Sequence, residues 1–521
     1  MKKKFTLIAA LLILTTGSGY PLAAADDGKG LSLLNTGRDM YMKHCASCHH
    51  AERYGLKAPA LIPETLKRYT KGELAKVIID GLPATQMPSF KGLLTDGDVD
   101  NIISYITLPV TNVRWGKNDI DQSREIFPLG KNKKSIPPHL DHENITLVVE
   151  SGRSVTVMDG NTFKTVDKFE VGAIHGGPKF SYSLRYVYAP TRDGIITKYD
   201  LYGLKTIGSV KAGINTRNIA ISDDDAWVAV ANYLPNNIVF LTDDLQLKHI
   251  VEAEGRIGGI YTLSSDKRFL CSFRDVSELW FIDYTRRFEI EKLTLPEPFE
   301  DISIGPFEDI IVGASRKGTR LYIYSLKEKK VISSFETDGM PHLASATYWV
   351  DPVRSSPIEK PSTLDASLPP SKKASHGVDK NVLYTAINHF KRPVVTILDL
   401  NNKKIVKEIS LTGSGFFVRT HQNTPFIWVD TNTDAIQIID KITLKVIKTL
   451  TPAKDRKAIH IEFTKDGRYA LVSIYEEEGA VVIYDAFKLN EVMRIPFKKP
   501  AGKYNALNKT YPKIQALGDG L

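Results

Sequence analysis

A chain of 521 residues, 42% of them hydrophobic and 25% charged, carries apolar material for more than one packed core, which excludes a disordered chain. Three cysteines in that length exclude a disulfide framework. The formal charge of +9 comes without a dense Lys/Arg block or an aromatic-interleaved basic surface, so it suits an acidic ligand or acidic redox partner and not nucleic acid.

The chain opens MKKKFTLIAALLILTTGSGYPLAAADD, with three lysines, a short apolar run and an Ala-rich site near Ala25. That pattern predicts a cleaved signal peptide over 1–25 and export to the periplasm. No later segment offers the roughly 20 uninterrupted apolar residues of a membrane span.

Residues 30–112 read as a small helical domain. LSLLNTGRDMYMKHCASCHH predicts an amphipathic helix running into a loop, and DGDVDNIISYITL a closing helix with Asp at its start. Between them, Cys45 and Cys48 lie two residues apart with His49 directly after. Two thiols for the vinyl groups and one imidazole for the iron are what covalent attachment of one haem c requires. Met87 in GLPATQMPSF sits among turn residues, where a thioether reaches the second axial position. This stretch resembles class I cytochromes c, which place the ligand methionine there relative to the closing helix. His44 and His50 read as solvent-facing neighbours of the motif.

Residues 113–140 read as a polar, Pro-containing linker, and from 141 the pattern becomes short β-rich runs. A strand ending in Asp or Ser recurs as VTVMD, IITKYD, IVFLTD, LWFID, LYIYS, VVTILD, IQIID and VVIYD, every 40 to 45 residues apart from one interval of 74. The long interval holds a Pro/Ser/Lys-rich insertion, 351–380. A second strand family keeps step: ITLVVE, RYVYAP, AWVAVA, RFLCSF, DIIVGA, NVLYTA, PFIWVD and RYALVS. Eight such repeats predict an all-β eight-bladed propeller over 141–521. Cys271, inside RFLCSF, reads as a buried structural thiol.

A class I cytochrome c domain followed by an eight-bladed propeller resembles the cytochrome cd1 family, whose propeller holds haem d1, a carboxylate-rich tetrapyrrole. The resemblance runs from about residue 35 to the C-terminus. ESGRSVTVMDGNTFKTVDKFEVGAIHGGPKF resembles the segment that delivers an axial imidazole, which implies His175 as an iron ligand. TRDGIITKYDL and AGINTRN resemble arginine-bearing strands, and GSGFFVRTHQNTPFIWVD and PAGKYNALNKTY two late segments that close the pocket. Desolvated carboxylates need fixed cations, and arginine supplies permanent charge in a bidentate fork. Arg153, Arg192 and Arg217, at strand ends or loops of successive repeats, are the expected cofactor-binding arginines, with Tyr233 and Asn505 as further lining residues.

The family divides by chemistry. Its nitrite-reducing members use two histidines above haem d1; GMPHLAS and His342 match one, while PEPFEDISIG presents Glu300 and Asp301 where the other would stand. A carboxylate there repels nitrite. IHGGPKF, AGINTRN, NYLP and GSGFF resemble instead the branch that oxidises a propionate side chain of dihydro-haem d1 to the acrylate of haem d1. That resemblance implies an oxidoreductase of haem d1 biosynthesis, with His342 as general base, His421 as alternative axial ligand, and haem c as electron acceptor. It also implies the tetrapyrrole and a periplasmic electron acceptor as partners, together with nitrite reductase and other haem d1 assembly proteins. A nitrite reductase with an altered proton relay and a non-catalytic haem d1 carrier stand as alternatives. His389 and His460 read as structural histidines.

Overall fold

The structure is a computed structural model that describes residues 27–55, 58–67, 69–81, 87–110, 113–128, 139–151, 153–315, 319–350 and 382–517. The expected signal peptide, 1–25, and the expected insertion, 351–380, lie outside the described residues. The chain divides into two compact units, Met1–Val110 and Thr111–Leu521. No helix among the described residues is long and apolar enough to cross a membrane.

The first unit is helical: Asp27–His44, Ala46–His49, Pro63–Leu66, Lys71–Asp80 and Asp96–Ile106. The closing helix starts at Asp96 as expected, capped by the residue before it: Thr95 accepts from Asp98 N while the Asp98 carboxylate accepts from Thr95 N. Thr70 and Glu73 repeat this reciprocal cap on Lys71–Asp80. Leu74, Ile78, Val99, Ile102, Ile103 and Ile106 form the core with Tyr41. Gly37 lets the first and last helices touch: a Cβ there would lie 2.2 Å from Asn101 O.

The second unit is eight antiparallel sheets of four strands each, one of them extended by a fifth. We number the blades from Ile145–Glu150. The recurring Asp or Ser ends the third strand of a blade, as at Asp159, Asp200, Asp283, Asp399, Asp440 and Asp485. Its side chain accepts backbone N–H groups of the turn that follows, for example Thr443 N to Asp440 at 2.7 Å and Lys488 N to Asp485 at 2.9 Å. The period was legible because one turn chemistry recurs in nearly every blade.

The first, axial strands carry no such mark. They are Lys179–Phe180, Asn215–Ile221, Ile257–Leu263, Asp301–Ile304, Thr347–Val350, Val418–Thr420 and Ala458–Phe463 for blades 2 to 8. Blade 1 takes its axial strand from the far end of the chain, Pro500–Asn505, paired with Ile145–Glu150, so the ring closes by joining its termini. Two short helices, Ala506–Thr510 and Pro512–Leu517, then cross the end of the ring where first strands turn into second strands. There Asn508 Nδ2 donates to Phe463 O at 3.0 Å and Tyr511 OH to Tyr182 O at 2.5 Å.

The expected linker needs correction. Residues 113–128 belong to the propeller unit: helix Lys117–Ser123 leads to strand Glu125–Ile126, which pairs with the outer strand of blade 2. Trp115 Nε1 donates to Lys211 O at 3.0 Å, and Arg124 donates to Asp244 O of blade 3. An outer edge that would otherwise present unpaired N–H and C=O groups is thereby covered. Residues 129–138 lie outside the described residues.

Candidate functional site

In the helical unit, Cys45 and Cys48 are free thiols, Cys45 at the start of the short helix Ala46–His49 and Cys48 within it. His49 is buried, which pushes its imidazole below the usual histidine range and keeps it neutral. Its Nδ1 lies 2.8 Å from Pro59 O. A proton on Nδ1 donated to that carbonyl leaves Nε2 as the ligating atom, the arrangement that fixes a metal-bound imidazole. Met87 packs against the apolar core around Tyr41 and Phe90. These residues fit a covalently held haem. His44 lies edge-on to Phe90 and His50 stacks on Tyr54, so both are occupied as neighbours.

In the propeller, strand direction decides which residues meet. Second-to-third strand turns and the connections between blades share one end of the ring; first-to-second strand turns occupy the other. Arg153 and Arg192 follow the second strands of blades 1 and 2, and Tyr233 lies at the end of the second strand of blade 3. His175 and His342 lie on the connections entering blades 2 and 6, and Arg217 near the start of its axial strand. All six share the first end. Backbone bonds tie two of them into blade 2 and on to blade 3: His175 N to Pro190 O at 3.1 Å, Arg192 N to Ala173 O at 2.9 Å, and Thr216 N to Arg192 O at 3.0 Å.

The two matched histidines are held alike. His175 Nδ1 is 3.0 Å from Thr216 O, and His342 Nδ1 is 2.7 Å from Phe416 O. With the proton at Nδ1, Nε2 is the basic nitrogen of each neutral ring, able to bind iron or accept a proton. Gly176 and Gly177, at φ 78° and 74°, make the turn after His175 possible, since a Cβ on Gly177 would sit 2.6 Å from the Tyr504 ring. Tyr504 in turn lies 5.6 Å from the His460 ring, His460 lies 4.6 Å from Phe417, and Phe417 lies 6.2 Å from His342. A continuous aromatic wall therefore joins the loop of His175 to that of His342, with Phe390 against His342 at 4.2 Å.

Two expected residues stand at the opposite end. His421 directly follows the axial strand of blade 7, fully buried. Its Nε2 is 3.0 Å from Lys465 O, and its Nδ1 accepts from Asn423 N at 3.2 Å. Both nitrogens are spent, and burial with the nearby Lys441 ammonium pushes the ring down to about 4. The structure therefore gives His421 no role as an iron ligand. Asn505 caps helix Ala506–Thr510, accepting from Asn508 N at 3.2 Å and donating to Asn144 Oδ1 at 3.0 Å; it is a structural amide.

Several residues escaped the sequence reading. Lys179, Tyr261, Tyr348, Arg419, Tyr504 and Lys509 are surrounded deep in the ring yet keep accessible surface, the mark of side chains facing an internal space. Flat aromatic faces alternate there with cations. Burial pushes Lys503 down to about 7 and Lys509 to about 8, and lowers Lys179 and Arg419. Arg419 Nη1 donates to Ser345 O at 2.7 Å, while its inaccessible Nε has no hydrogen-bond partner. The nearby carboxylates are fewer: Glu462 pairs with Lys509 at 2.8 Å, and Asp430 accepts from Phe416 N and His460 N. A cation-rich interior with an unmet donor fits a flat ligand bearing several carboxylates. The available signal was a charge set inside otherwise apolar axial strands, as in INTRNI, VRT and GKYN.

His460, set aside on sequence, stands on the axial strand of blade 8 at a bulge, with φ 52°. Its N–H bonds to Asp430, and Lys503 donates both to its carbonyl and to Ser473. Burial, helped by the surrounding cations, holds the ring well below the usual range, so it stays neutral. His389 is structural as expected, with Nδ1 at 2.6 Å from Asp338 O and Nε2 at 3.0 Å from Thr396 Oγ1. Cys271 is buried in its strand.

Residues 140–355 and 374–509 match the family model described as Cytochrome D1 heme domain, and 32–106 match Cytochrome C oxidase, cbb3-type, subunit III. The chain is 38% identical to Dihydro-heme d1 dehydrogenase of Pseudomonas aeruginosa over 490 residues, covering 91% of this chain and 94% of the relative. It is 22% identical to Nitrite reductase of Stutzerimonas stutzeri, over 90% and 92%. The solved structure titled Dihydro-heme d1 dehydrogenase NirN in complex with DHE superposes with a TM-score of 0.81 at 37% identity, covering 91% of this chain and all of that one.

Proposed function

The chain belongs to the cytochrome D1 heme domain family, and from that premise we propose that it is the dehydrogenase that converts a propionate side chain of dihydro-haem d1 to the acrylate of haem d1, in the periplasm. The observation that carries this reading is the cation-rich, aromatic-walled interior with His175 and His342 at one end.

The conversion removes two electrons and two protons from adjacent carbons of the side chain. Arg217, Arg419, Lys179 and Lys509 bind the substrate's carboxylates, with Arg153, Arg192 and Tyr233 at the rim and the fully buried Lys503 adding positive charge behind them. Tyr233 already accepts a bond from Arg274 at 2.5 Å, which adds a further cation there. His175 Nε2 ligates the substrate iron. His342 Nε2 accepts a proton from the reacting edge, since imidazole suits proton transfer near neutral pH. Cys45, Cys48, His49 and Met87 would hold a covalent haem c, which would supply a one-electron acceptor needed twice per turnover and re-oxidised by a periplasmic partner. Covalent haem attachment speaks for catalysis over mere carriage of haem d1.

The test is anaerobic incubation of the holo-protein with dihydro-haem d1 and an electron acceptor, followed by chromatography of the extracted pigment. The expected product is the acrylate; unchanged substrate would defeat the reading. For the electron path, Met87→Ala should lower the haem c potential while leaving tetrapyrrole binding intact. An unchanged potential in a redox titration would remove Met87 from the site.

A further inference from the structure

We infer that Asp301 is a positioning residue for His342: its carboxylate, reaching across from blade 5, sets the turn that presents the imidazole to the substrate edge. The inference rests on His342 as the base.

His342 immediately precedes the 3-10 turn Leu343–Ser345 and offers that turn no side-chain cap, because its ring is committed elsewhere. The first N–H groups of such a turn need an outside acceptor. Asp301 Oδ2 supplies it, accepting from Leu343 N at 2.8 Å and from Ala344 N at 3.3 Å. Asp301 is the first residue of its axial strand, paired with Ala314 and only 5% exposed, so a rigid sheet fixes the carboxylate.

The remaining restraints on His342 come from other blades. His342 N donates to Asn388 O at 2.9 Å in blade 6, and Nδ1 meets Phe416 O at 2.7 Å on the connection entering blade 7. Ser345 Oγ ties the turn to Asn388 Oδ1 at 2.6 Å. Asp301 holds two consecutive N–H groups of this turn at one carboxylate oxygen. An imidazole at 301 offers a single lone pair, where a carboxylate oxygen has two, so it would not reproduce that bond pair. A carboxylate in place of a second histidine therefore has a structural purpose here: it aims the histidine that remains.

Three variants test this, with two readouts each. In Asp301→Ala, kcat for acrylate formation should fall about 10²-fold with KM within about twofold, the scale expected when a proton acceptor is misplaced by about 1 Å. Asp301→Asn keeps an acceptor oxygen and should recover most of that loss, while Asp301→His should resemble Asp301→Ala. Independently of activity, hydrogen exchange at Leu343 and Ala344, followed by mass spectrometry, should be slow in wild type and Asp301→Asn and fast in Asp301→Ala. Unchanged exchange and kcat in Asp301→Ala would overturn the inference. So would a large rise in KM, which would make Asp301 a binding group, or Asp301→Asn as inactive as Ala with His342→Ala active, which would make Asp301 the base. If wild type forms no acrylate but exchange follows Asp301 as described, the dehydrogenase reading fails and the positioning contact stands.

Discussion

His342→Ala is expected to lower acrylate formation by about 10²- to 10⁴-fold, the usual worth of a positioned general base, while tetrapyrrole binding changes little. The two effects separate because the contacts differ. On the proposed reading, affinity would come from the cations of the axial strands and from His175 on the far side of the aromatic wall, whereas His342 would act on the substrate's edge. Its ring is fixed by Phe416 O and flanked by Phe390 and Phe417, so truncation opens a small space without removing a charge. The check is anaerobic incubation of both proteins with dihydro-haem d1 and chromatography of the pigment, alongside a spectral titration. Equal acrylate formation would eliminate His342 as the base. Rapid nitrite turnover by wild type loaded with haem d1 would instead favour the reductase branch.

Arg419→Leu is expected to weaken tetrapyrrole binding about 30- to 100-fold, roughly 2–3 kcal/mol, the scale of one charge-assisted hydrogen bond in a desolvated site. The ligand-free protein should be as stable as wild type or slightly more so. Burial lowers the guanidinium and its Nε finds no partner, so the folded state carries a cost that leucine removes. Loss of folding without any selective loss of binding would contradict this.

The same excess of cations gives a pH signature. Lys503 at about 7 and Lys509 at about 8 are depressed by burial, whereas both titrate near 10.5 in the unfolded chain. Between these values the unfolded state binds more protons, so the stability of the ligand-free protein rises with pH. The rise should be visible from about pH 7 to 9.5, below the range where buried tyrosines such as Tyr504, pushed up to about 12, begin to oppose it. Tetrapyrrole affinity should fall across the same window as the ammonium groups lose their protons.

Much of this protein is written locally or periodically in its chain. Cys45, Cys48 and His49 declare a haem because covalent attachment needs three residues within five positions. Eight blades are legible because the third strand of nearly every blade ends in a residue that caps its own turn two or three positions on. Neither signal depends on any distant contact.

The pocket is different, since a histidine's role follows from what its two nitrogens meet. His175 finds Thr216 at a separation of 41 residues and His342 finds Phe416 at 74, each leaving Nε2 as the basic nitrogen. His421 finds Lys465 at 44 and loses both nitrogens to the protein, although its flanking sequence looked as good. Strand direction separates them: a residue after an axial strand goes to one end of the ring, and a residue on a connection between blades goes to the other. Lys503 and Lys509 likewise gain their meaning only when the C-terminal strand closes blade 1 and carries them into the interior. Sequence alone determined the haem motif, the blade count and the family. Only the closed ring decided which charges are desolvated together and which imidazoles face them, because those properties belong to the space enclosed by all eight blades.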